Sequence, residues 1–68
     1  MIKDDNELSV MLERIARFQH LVRQIRAVET DPTTYRMSAS GFLAEIDRMQ
    51  LEVREYLSAL PQEVAVGG

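Results

Sequence analysis

Apolar residues recur along the first half of the chain at alternating steps of three and four. Leu8, Met11, Ile15, Phe18, Val22 and Ile25 carry this pattern. The spacing puts them on one stripe of an α-helix, at the a and d positions of a heptad. Leu12, Leu21 and Val28 flank the stripe and widen it. The second half repeats the arrangement with Phe42, Ile46, Met49, Val53, Tyr56 and Leu60, and with Leu43 and Leu57 beside them. The pattern predicts an all-α chain with helices over about 5–28 and about 38–60. Seams this wide suit a helical bundle better than a simple two-stranded coil.

Punctuation residues bound the two stretches. Asp4 followed by Glu7 has the spacing of a capping box, with Asn6 as an alternative cap. Asp5 and Glu7 put negative charge at the positive end of the helix dipole. Thr30, Asp31, Pro32, Thr33 and Thr34 predict a loop over about 29–37, within which Asp31-Pro32 suits a single helical turn. Tyr35 and Met37 are expected to fold over the end of the bundle. Ser38 or Ser40 can cap the second helix. Gly41 suggests close packing against a neighbouring backbone, or a helix that begins there. Pro61 is expected to stop the helix, leaving residues 61–68 as a frayed tail.

Two helices of matched length, each about 35 Å at ~1.5 Å per residue, joined by one connection, read as an antiparallel hairpin in a single domain over 1–68. A chain of 68 residues buries little apolar surface by itself. It has no Cys, which excludes a disulfide framework and a thiolate zinc site. A lone hairpin covers one side of each wide seam. The expected assembly is therefore a homodimer forming a four-helix bundle. Its interface and core would draw on Leu8, Met11, Leu12, Ile15, Phe18, Leu21, Val22, Ile25, Phe42, Leu43, Ile46, Met49, Val53, Tyr56, Leu57 and Leu60.

Net charge is −3, which argues against a general nucleic-acid or anionic-membrane binder. No stretch approaches the ~20 apolar residues of a membrane span. The acidic start, with Asp4, Asp5 and Glu7, does not resemble a signal peptide, so a cytoplasmic location is expected.

Candidate chemistry is sparse. His20 is the single histidine, and the heptad frame puts it opposite the core with Arg17, Arg23 and Gln24 nearby. Cations around an imidazole oppose metal binding and protonation alike. Glu45, Asp47, Glu52 and Glu55 lack the Glu-x-x-His spacing of bundle di-iron sites. Glu45–Arg48 and Arg48–Glu52 read as surface ion pairs instead. Arg14, Arg17, Arg23 and Arg26 give residues 13–26 a charge of +3, against −2 over residues 45–55. The contrast reads as helix-to-helix complementarity, with a phosphate-binding face on the first helix as the alternative. Val10 and Leu51 fall outside the seams and could mark a second contact surface. No catalytic, metal or cofactor site is expected, and no enzyme.

The run from Ser38 through Phe42, Ile46, Met49 and Val53 to Leu57 resembles a group of small, uncharacterised bacterial helical proteins. It is also similar to the helical hairpin that precedes the helix-turn-helix of antitoxin-type regulators. The resemblance implies a bacterial dimerising or partner-binding module. In those regulators a DNA-binding domain follows the hairpin, whereas only residues 61–68 follow here, so DNA binding is not implied and no functional residue carries over. The expected function is a non-enzymatic interaction protein, a regulatory or toxin–antitoxin-associated partner. Its partners would be a second copy and another protein, with neither nucleic acid nor membrane. A nucleic-acid-associated regulator using the helix 1 arginines is the alternative.

Overall fold

The computed structural model describes residues 1–60, and the tail over 61–68 lies outside the described residues. Two helices, α1 (Asp5–Val28) and α2 (Pro32–Leu57), pack against each other, with no strand among the described residues. They run antiparallel. The Asp5 carboxylate at the start of α1 meets the Tyr56 hydroxyl near the end of α2, and Phe18 meets Phe42 midway. Only Glu29, Thr30 and Asp31 separate the helices, a connection too short to reach anything but an adjacent antiparallel partner.

Each helix start is set by an aspartate. Asp4 Oδ1 accepts the Glu7 N–H at 2.8 Å, while Glu7 Oε1 accepts the Lys3 N–H at 3.1 Å. The capping box thus closes one residue earlier than the reciprocal Asp4–Glu7 pairing predicts. Val28 ends α1, and the Glu29 N–H still donates to the Ile25 carbonyl at 2.9 Å. Glu29 Oε1 then accepts the N–H groups of Thr30 and Asp31, each at 3.1 Å, and so satisfies the turn.

The second helix begins six residues earlier than the expected Ser38. Asp31 Oδ2 accepts both the Thr34 N–H at 2.9 Å and the Thr34 hydroxyl at 2.7 Å, and Pro32 occupies the first turn. This cap and a preset φ launch a full helix, where the sequence suggested only one turn and then a loop. Ser38 and Ser40 lie inside α2, and the Ser40 hydroxyl donates to the Met37 carbonyl at 3.2 Å. Gly41 also lies inside α2, and a Cβ added there would meet nothing within 4 Å, so neither close packing nor a helix start explains it. The helix ends at Leu57, with Ser58 as its cap, before the expected stop at Pro61.

The core is thin. Ile15 and Val22 of α1 pack with Ala39, Ile46 and Met49 of α2, flanked by partly buried Met11, Phe18, Tyr35, Phe42 and Val53. The Phe18 and Phe42 rings meet edge to face, with centroids 5.7 Å apart. Tyr35, one turn before Ala39 in the first turns of α2, is partly buried against the core at the loop end. Met37, expected beside it, is exposed.

Two substitutions test this arrangement in urea at fixed protein concentration. Met49 has no exposed surface, so Met49→Ala should cost about 2–4 kcal/mol. Gly41→Ala should stabilise by about 0.5–1 kcal/mol, because it removes chain entropy from a helix interior with open space around it.

Candidate functional site

The hairpin offers two broad faces, and they differ in chemistry. One is crossed at its open end by the residues before α1. Ile2 is buried there, in reach of Val10, Met11 and Arg14 on α1 and of Glu52 and Tyr56 on α2. The Met1 amine donates to Glu52 Oε1 at 2.9 Å. Arg48 pairs with Glu45 and, at 3.0 Å, with Glu52 Oε2. The hydrogen bond from the Met1 amine is the main reason that Glu52 sits below the usual carboxylate range. Sequence reading missed Ile2. An apolar residue two positions before the capping Asp4, close to the position of a hydrophobic staple, was the available signal.

The opposite face carries a shallow groove lined by Ala16, Gln19, His20 and Arg23 from α1 and by Leu43, Ile46 and Gln50 from α2. Leu12 stands one turn before Ala16, and Leu57 stands two turns beyond Gln50, so both continue this face along the hairpin. Of the residues expected in the interface or core, Ile15, Val22, Ile46 and Met49 are buried within the hairpin. Leu8, Met11, Phe18, Ile25, Phe42, Val53 and Tyr56 are partly buried. Leu12, Leu21, Leu43, Leu57 and Leu60 remain exposed, as do Val10 and Leu51. Ala39, the other missed residue, has no exposed surface. Its place seven residues before Ile46 marks it, but it falls between the candidate caps Ser38 and Ser40, ahead of Phe42, the first residue of the expected stripe.

Neither face presents reactive chemistry among the described residues. No group of three His, Asp or Glu side chains there could hold a metal ion. His20 is exposed at the margin of the groove with Arg23. The arginines of α1 do not share a face. Arg14 lies beside Phe18, Phe42 and Glu45, whereas Arg23 borders the other groove. No described helix is long and apolar enough to cross a membrane.

Comparison with known proteins adds no relative: no protein-family model, no curated protein and no solved structure matches the chain.

The end of the hairpin away from the loop is also tied by a titratable contact from α2 to α1. The Tyr56 hydroxyl donates to Asp5 Oδ1 at 2.7 Å, and this bond pushes the phenol up to about 12. The folded state holds the protonated phenol. Its contribution is therefore full below an ordinary pKa of 10 and is lost as pH rises from there through about 12. Phenolate absorbance should show one tyrosine titrating late, and Tyr56→Phe should remove that step and the matching loss of stability. At the other end, the Thr34 hydroxyl holds Asp31 below its usual 3.8. Its contribution is present above 3.8 and lost as pH falls through the lower folded value. The stability gap between wild type and Asp31→Ala should narrow between about pH 5 and about pH 2.

Proposed function

We propose that the chain is a non-enzymatic assembly module that pairs with a second copy of itself as a four-helix bundle and presents the result to another protein. One observation carries this reading. Within the hairpin the apolar seams are only half used, leaving Leu12, Leu43 and Leu57 exposed at 48%, 43% and 64%. Such residues on one continuous face favour a partner, because contiguous exposed apolar surface is costly in water. The resemblance to antitoxin-type hairpins supports reading the chain itself as a bacterial regulatory or toxin–antitoxin-associated partner. Light scattering behind size exclusion at micromolar concentration should give about twice the 7.8 kDa chain mass. A stably folded monomer would refute the reading.

The alternative, a nucleic-acid-associated regulator, needs a basic face. The distribution of Arg14 and Arg23 to opposite sides of the hairpin, and a net charge of −3, favour the assembly reading. Fluorescence anisotropy with short duplex DNA and single-stranded RNA at ~50 mM salt should show no binding at micromolar protein. Binding that disappears in Arg17→Ala/Arg23→Ala, with the mass unchanged, would reverse the order of the two readings.

A further inference from the structure

A second copy can meet the hairpin on either broad face and in either of two directions. The face crossed by Ile2 is poorly suited. Its open end is covered, and Glu45, Arg48 and Glu52 would have to leave water when a partner docked. The opposite face offers leucines along its length, with Val22 and Ile46 at the floor of its groove. Its charged groups, Arg23 among them, stand at the margin.

Direction follows from charge. Stacked hairpins related by a two-fold axis either bring their loops together or put the loop of each over the open end of the other. Residues 16–44 form the loop half and carry Arg17, Arg23, Arg26 and Arg36 against Glu29 and Asp31, a side-chain charge of +2. The rest of the described chain forms the open half. It carries Lys3, Arg14, Arg48 and Arg54 against eight carboxylates, a charge of −4. The difference between the two helices is smaller, +1 on α1 against −1 on α2. Loop-to-loop stacking would set +2 on +2 and −4 on −4. Reversed stacking sets opposite signs together at both ends. Arg14, Glu45, Arg48 and Glu52 stand on the far face and cancel, so the open half keeps −4 without them. Facing groups on packed helices about 8–10 Å apart lie within the ~10 Å screening length at 0.1 M salt.

We infer that a second copy covers the Leu12, Leu43 and Leu57 face with its hairpin reversed, loop end over open end. This rests on the self-association proposed above and adds the face and the direction. The chain lacks cysteine, so Thr33→Cys at the loop end takes a single spin label per protomer. Dipolar spectroscopy on the dimer should give a separation of about 35 Å or more, the length of the hairpin. A separation of about 10–20 Å would mean loops together and would overturn the direction while leaving the dimer standing. A monomer in light scattering would instead sink the self-association itself.

Charge reversal gives an independent sign. Arg23→Glu/Arg26→Glu takes the loop half from +2 to −2. The reversed dimer should therefore weaken, by roughly 3–10-fold in dissociation constant at low salt, whereas a loop-to-loop dimer, passing from +2 on +2 to −2 on −2, would hold its affinity. For the face, Leu43→Glu should abolish the dimer and Val10→Glu should leave it intact. The opposite result would move the interface to the other side.

Discussion

The packing of Ile15 and Val22 against Ala39, Ile46 and Met49 is the contact on which the rest of the structure depends. It sets which side of each helix is inside, and so decides which apolar residues are left outside. Ala39, toward the loop, and Met49, toward the open end, have no exposed surface, and the flexible Met49 thioether fills the seam there. Phe18 and Phe42 add an edge-to-face contact at the border of this seam. Five buried residues in the cluster make a narrow core for two helices of 24 and 26 residues. A chain so short gains little from its own burial, and the exposed leucines beside the seam are where more can be gained.

The ends of the hairpin are held by polar contacts. At the loop, Glu29 and Asp31 absorb the N–H groups that the turn would otherwise leave unpaired. At the open end, Tyr56 reaches Asp5, and the residues before α1 lay Ile2 across both helices. These contacts set the lateral order of α1 and α2 and occupy one of the two faces. The arrangement is asymmetric, and it leaves the face with Leu12, Leu43 and Leu57 uncovered. It also separates positive charge near the loop from negative charge near the open end.

Heptad spacing made the two helices and their mutual face legible. Ile15, Val22, Ile46 and Met49 fall on the predicted stripes and are buried. The start of α1 was legible because Asp4 and Glu7 have a local signature whose physics does not depend on the rest of the fold. The start of α2 was less so. A cluster of Thr, Asp, Pro and Ser residues fits a loop and a capped helix equally well, and the Asp31 cap decided for the helix. Ala39 was hidden because the expected helix start at Ser38 or Ser40 put it in the capping turn, ahead of the stripe that opens at Phe42. Ile2 was hidden because its burial comes from contact with α2, far away in sequence. Which flanking leucines stay exposed was not legible, because spacing alone does not say how much of a wide stripe one neighbour covers.

If the narrow core is completed by a second copy, folding and association are one equilibrium, and stability must rise with protein concentration. Thermal unfolding followed by circular dichroism over a hundredfold range of concentration tests this most directly. The account predicts a midpoint that climbs steadily with concentration. A midpoint independent of concentration, with a full helical signal at the lowest concentration, would show that the hairpin stands alone and would contradict it.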